Sequence, residues 1–263
     1  MDEWQTRKLL ILGRTYPSYS RKYAENVCTG ALLEGSREMV RLHPFNPRYL
    51  PDDKKPHDFQ WIRIAMKRHS ADPRPESFRV KTDTIELLDL IPPSEAAYRR
   101  QLLEQSPHLC PSLEHLQERQ RTSGTSLGII QPAEILDCSV EMRPAKERAE
   151  WEKRQRDVLA QEDLFGVRVK PIDFPEALFL VKWRCKNAMC QTHTMKLMKW
   201  GIHELYRKVR GNRDKVIAKM WDELDATDKD IFLFVGSFRG HQTTFGLMDS
   251  YSAVRTSQPG LFV

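Results

Sequence analysis

Cys185, Cys190 and His193 stand in the run RCKNAMCQTH, and two thiols with an imidazole this close draw the chain into a tight loop. A thiolate pair with an imidazole is the ligand set zinc prefers, and short spacing lets one loop wrap a single ion. The flanks agree, since 177–184 (ALFLVKWR) reads as a strand and 195–209 (MKLMKWGIHELYRKV) as a helix. A metal at such a junction replaces the hydrophobic core that a sharp strand-to-helix turn cannot build. We expect one zinc per chain on Cys185, Cys190 and His193; the plainer alternative is two half-buried thiols and a surface imidazole. His203 is not the fourth ligand, because ten residues beyond His193 on a continuous helix it would stand about 15 Å away. Cys28, Cys110, Cys138, a carboxylate or a water remain open, and a water there would point to catalysis.

The chain has 263 residues, 40% of them hydrophobic, enough for one large or two small domains with real cores. It lacks an apolar run of about 18 residues, and residues 1–7 are charged, unlike a signal peptide. Five cysteines fit a reducing compartment better than a disulfide framework. A soluble cytoplasmic protein without a membrane partner is the expectation. Lys and Arg exceed Asp and Glu by 42 to 36, a balance that permits a polyanionic partner. Residues 14–23 (RTYPSYSRKY) interleave Arg14, Arg21 and Lys22 with Tyr16 and Tyr19, a composition suited to phosphates and stacked bases. Arg41, on a strand, and Lys182 and Arg184, beside the knuckle, extend this candidate DNA or RNA surface. The competing reading is a solvated basic face with Trp183 in the core behind it.

Five strand-like runs fill the first 92 residues, at 8–12, 26–33, 38–43, 60–67 and 78–90, divided by Pro, Gly, Ser and Asp. Five short strands point to a small barrel. In 61–66 the set Ile62, Ile64 and Met66 faces inward and Arg63 outward, and the proline-rich connector 46–58 is an exposed loop. Helices are expected at 94–105 and 112–120, then a hinge at 122–126. Strand pattern resumes at Leu127, interrupted by a charged helix at 145–161 and by two helices over 195–224, with closing strands at 230–237 and 244–251. No close internal repeat or coiled coil is visible. The expected fold is therefore α+β and β-rich, with an N-terminal barrel (1–92), a helical bridge (93–126) and a C-terminal barrel (127–263) carrying helical insertions and the metal knuckle.

Cys28-Thr29-Gly30 followed by Val40-Arg41-Leu42-His43-Pro44, then Leu127-Gly128-Ile129-Ile130-Gln131-Pro132, resembles bacterial dual-OB-domain proteins over most of the chain in outline. Cys185, Cys190, His193, Trp200 and Glu204 match that family's second-barrel knuckle and following helix, although Val40 stands where an aromatic residue is expected. The resemblance implies two OB-like barrels, nucleic-acid binding, and a link to mobile elements and anti-phage conflict. No P-loop, G-x-S-x-G, H-E-x-x-H or dinucleotide fingerprint is present. Asp72 and Glu76, in a proline loop, are the carboxylates that could serve a catalyst, and more often such a loop is a turn. Trp200, Glu204 and Arg207 form one helical stripe that reads as a core tryptophan with a flanking ion pair. The leading expectation is a module reading single-stranded or modified DNA or RNA in an antiviral defence system. A metal-dependent enzyme acting on nucleic acid and a protein-docking subunit of a defence complex are the alternatives.

Overall fold

The computed structural model describes residues 3–20, 22–161, 168–187 and 190–255. The apolar run 9–12 lies in β1 (Gln5–Arg14) and is buried on both faces because the strand sits between two cores. Leu9 and Ile11 pack with Ala31, Val40, Ile62 and Ile64 inside the first unit; Leu10 and Leu12 turn toward Leu127, Ile129 and Phe234 of the second. A small hairpin, β2 (Ser18–Ser20) and β3 (Ala24–Asn26), leads to β4 (Thr29–Leu33), β5 (Met39–Leu42), β6 (Gln60–Arg68) and β7 (Ser77–Leu90). Hydrogen bonding runs β1–β4–β5–β7–β6 and returns to β1, with β5–β7 the parallel pair. Ile62, Ile64 and Met66 are buried and Arg63 is exposed, as the alternation requires. The 46–58 connector carries two single 3-10 turns, Pro47–Tyr49 and Asp52–Lys54.

The bridge comprises α1 (Ala96–Glu104), the short β8 (Leu109–Cys110) and α2 (Leu113–Ser123). Leu102 and Leu103 of α1 enter the core shared by the two units. Ser112 caps α2 by accepting from the His115 N–H, and Gly124 ends it in the left-handed region at φ 73°.

The second unit begins with β9 (Leu127–Ile130) and β10 (Pro132–Met142), separated by Gln131 alone. Next come α3 (Ala145–Leu159), β11 (Ala177–Cys185), β12 (His193–Leu197), α4 (Trp200–Lys208), α5 (Arg213–Leu224), β13 (Lys229–Phe238) and β14 (His241–Val254). Seven strands pair in the order β10–β11–β12–β14–β13–β9–β8, and β12–β14 is parallel. Because β9 and β10 are almost one strand, the pairing repeats that of the first unit: first, second, third, fifth, fourth and back to the first, with third and fifth parallel. Helices α4 and α5 occupy the connection where the first unit has only its 3-10 turns. The protein is thus β-rich, in two units. Among the described residues no helix is long and apolar enough to cross a membrane.

The helix expected from Met195 starts only at Trp200. Residues 193–197 are a strand instead, with Met195 and Leu197 buried and Thr194 and Lys196 exposed. Pairing with β11 on one side and β14 on the other overrides the helix preference of Met, Lys and Leu. The knuckle is therefore the loop of a β-hairpin, with Trp183 opposite His193, rather than a strand-to-helix turn.

Polar networks hold the seam between the units. Arg41 is buried and donates to Ser77 Oγ at 3.1 Å and to Ser126 Oγ at 3.0 Å, while the buried Glu76 carboxylate accepts from Ser126 N–H and Oγ. Arg74 grips Asp72 through two hydrogen bonds and donates to Ser237 O. Asp249 accepts from the Arg14 N–H and pairs with Lys199 at 3.1 Å. Gly13 is required there, since a Cβ would lie 2.3 Å from Asp249 Oδ2. Finally, residues 170–173 of the second unit lie on the first: Lys170 N–H donates to Tyr49 Oη, Arg48 to Pro171 O, Tyr19 Oη exchanges hydrogen bonds with Ile172, and Tyr16 Oη donates to Asp173 O.

Candidate functional site

The hairpin β11–β12 brings Cys185, Cys190 and His193 together, and α2 supplies a fourth group, Glu114, from its first turn. His193 Nε2 lies 3.1 Å from Cys190 Sγ, 3.6 Å from Cys185 Sγ and 3.2 Å from Glu114 Oε1, and one ligand atom from each of the four lies within 4.8 Å of the others. Such spacings are the edges of a tetrahedron around one ion, so the four side chains could hold a metal ion. Backbone donors also face the sulfurs: Leu113 N–H reaches Cys185 Sγ at 3.4 Å and Cys185 N–H reaches Cys190 Sγ at 3.1 Å. Burial raises the Cys185 pKa to about 12 against the pull of the Leu113 N–H, so a metal binding there would displace a proton. The Trp183 ring packs on His193 at 4.8 Å and shields its other side. Glu114 is one of the carboxylates the spacing left open, and nothing local marks it, 71 residues before Cys185. His203 is elsewhere, stacked on Tyr16 at 4.4 Å.

A cleft of about 720 Å³ separates the two units. From the first unit it takes 15–18, Asn26, Cys28, Arg41, His43 and Arg74; from the second, part of α3, Phe174, His203, the end of β13 and Arg239. Its rim carries Arg154 and Arg239, both exposed, and Arg143, which Glu147 engages at 2.8 Å. Tyr16, Trp151, Phe174 and Phe238 supply aromatic surface. Among the described residues, four buried polar atoms of its lining have no hydrogen-bond partner: Asn26 Oδ1, His43 Nδ1, Arg143 Nε and Ser237 Oγ.

Of the basic and aromatic residues singled out in the sequence, only Tyr16 and Arg41 line this cleft. Arg14 turns away to Pro56 O and Asp58. Tyr19 is buried against Trp151 with its hydroxyl engaged, so it presents no free ring. Arg21 lies outside the described residues, and Lys22 covers the Tyr23 ring. Lys182 and Arg184 are exposed on β11, opposite Asp137 and Glu134, with Trp183 fully buried behind them. Asp72 and Glu76 are consumed by Arg74 and Ser126, the turn reading of that loop. Trp200 donates to Glu204, which also holds Arg207.

Burial, reinforced by Arg143, lowers the His203 pKa to about 3; burial, then the neighbouring His69, lowers that of His43 to about 4. The unfolded chain takes up these two protons below about pH 6.5 and the folded chain does not, so stability falls as the medium is acidified from 6.5 towards 4. Burial pushes Asp249 up to about 6 against the pull of Lys199, which works in the opposite direction between 6 and 3.8. Two imidazoles outweigh one carboxyl, so the melting temperature should drop between pH 6.5 and 4. His203→Phe, which keeps the ring stack, should flatten the slope; thermal melts across this range check it, and an unchanged slope would contradict the assignment.

The fold is two paired β units, with a cluster of four side chains that could hold a metal ion and a cleft lined by arginine and aromatic residues. The chain belongs to the family described as domain of unknown function DUF8757, whose model matches residues 110–262. A second model, described as domain of unknown function DUF8758, matches residues 5–105. No curated protein matches the chain.

Proposed function

We propose that the protein binds single-stranded DNA or RNA across the cleft between its units, and that a zinc ion closes the 185–193 hairpin. The cleft carries this reading, because it joins positive charge at the rim to aromatic surface within, the pairing that tracks a phosphate backbone and stacks bases. The strand order supports it. A five-strand ring with a parallel third and fifth strand is the OB arrangement, whose ligands lie on strands two and three and on the loops after strands one and four. In the first unit those loops are 15–28 and 69–76, in the second 143–176 and 239–240, and all four contribute residues to the cleft. Two OB-type units in one chain are also what the likeness to bacterial dual-OB proteins implies, and a role in a conflict system, alone or in a larger complex, follows from that likeness.

Zinc suits the cluster because Zn–S and Zn–N bonds of about 2.3 and 2.0 Å give tetrahedral edges of about 3.3–3.8 Å, close to the distances here. Four protein ligands would leave no open position, so a zinc held by all four would act as a scaffold rather than as a catalytic centre.

A dye-labelled oligonucleotide titrated at several salt concentrations tests the binding. Its log affinity should fall linearly with log salt, by roughly 0.7 for each phosphate neutralised on a single strand. Arg154→Ala with Arg239→Ala should weaken binding to every sequence and flatten that slope by about 1–1.5, with only a small drop in melting temperature, since both side chains are exposed and Arg239 gives up one hydrogen bond to Ala71 O. Absence of binding to single or double strands at low salt would remove the proposal.

A further inference from the structure

We propose that the floor of the cleft is a recess for one nucleobase, so that a single terminal or unstacked nucleotide is seated base-inward with its phosphate at the arginine rim. The inference rests on the binding reading above and adds which part of the ligand goes where. Its ground is the set of unpaired polar atoms. Ser237 is 5% exposed and its Oγ has no partner, although its main-chain N–H and C=O are both engaged, by Ser126 O and Arg74. Asn26 Oδ1 and His43 Nδ1, on the first unit's side of the cleft, are likewise buried and without a partner among the described residues.

A buried polar atom without a partner costs free energy, and several in one cleft mark where a ligand completes the hydrogen bonding. The chemistry of the three is mixed. A hydroxyl both donates and accepts, an amide oxygen only accepts, and a ring nitrogen does either. A phosphodiester or a sulfate, which offers only acceptors, would leave Asn26 Oδ1 unpaired. A base edge carries donors and acceptors side by side and can meet all three.

Met198 and Met248 line the same cleft and supply soft, polarisable contact for a flat ring. The volume of about 720 Å³ falls within the range of roughly 300–1,000 Å³ usual for small-molecule sites, which suits one nucleotide rather than a stacked run. Arg154 and Arg239, being exposed, are placed to meet its phosphate and the strand leading away.

The experiment is competition. The full chain is bound to a labelled single-stranded oligonucleotide and challenged with each nucleoside 5′-monophosphate and with ribose 5-phosphate, which keeps sugar and phosphate but lacks the base. At least one nucleotide should compete and the sugar phosphate should not. Ser237→Ala, which removes only an unpaired hydroxyl, should weaken the competing nucleotide by about tenfold, and Asn26→Ala by a similar factor. Melting curves establish that each variant is folded. Equal competition by ribose 5-phosphate would replace the base recess by a phosphate seat and overturn the inference. Oligonucleotide binding that no nucleotide displaces, or that both variants leave unchanged, would overturn it while leaving the strand-binding proposal standing. Direct nucleotide binding without oligonucleotide binding would support the recess and remove the strand. If neither ligand binds, both proposals fall.

Discussion

Purified protein should contain about one zinc per chain, and Cys190→Ser should lose it and destabilise the second unit. Cys190 is the better thiol to change, because Cys185 is also part of the second unit's core and its loss would damage packing. A metal that binds only the folded chain stabilises it by about 4 kcal/mol when free zinc stands at about 1,000 times its dissociation constant. A strong chelator should therefore lower the melting temperature of the native chain and leave that of Cys190→Ser nearly unmoved. Glu114→Gln is the finer test: its side chain is 46% exposed, so substitution disturbs little packing, yet zinc should dissociate at lower chelator concentration. Elemental analysis finding no metal in a well-folded sample would sink the assignment.

Replacing Arg41 by Leu should cost about 3–5 kcal/mol, the usual penalty for breaking a buried ionic network from one side. Arg41 is 2% exposed and shares Ser126 with Glu76, so its removal leaves a buried carboxylate without its counter-charge. Ser126→Ala should cost less, about 1–3 kcal/mol, since it removes hydrogen bonds but keeps both charges. Denaturant titration measures both, and a loss under about 1 kcal/mol for Arg41→Leu would place the residue among weak surface pairs instead. Any nucleic-acid defect of an Arg41 variant must be read beside that measurement.

The strands of the first unit are legible because alternation and β-branched residues stand between prolines and glycines, and β1, β4, β5, β6 and β7 fall on those runs. The hairpin β2–β3 is not, since three residues in each strand hold no period. Strand β12 is hidden by good helix formers, and only its two partners in the sheet make Met195 and Leu197 an inward face. Of the four groups that could hold a metal ion, three declare themselves through local spacing; Glu114 reaches them from a helix far upstream, which spacing cannot foresee. The cleft is the least legible feature. Four loops from distant parts of the chain build it, and the tyrosine-rich span that drew attention sends Tyr16 to its wall, Tyr19 into a core and Arg14 to the opposite side.

The way 170–173 lies on the first unit bears on how the two halves can vary. The hydrogen bonds there join side chains to main chain, Tyr49 to Lys170 N–H, Arg48 to Pro171 O, Tyr16 to Asp173 O and Lys170 Nζ to Arg48 O, while the Ile172 side chain packs in one core with Tyr19 and Ala24. Main-chain partners do not change when residues are substituted, so the exposed positions 171 and 173 can drift while Ile172, which fills the shared core, and Tyr16, Tyr19, Arg48 and Tyr49 stay constrained. A chimera joining this first half to the second half of a relative would keep the fit if the segment held its length, and would lose it on a one-residue deletion that left every side chain in place.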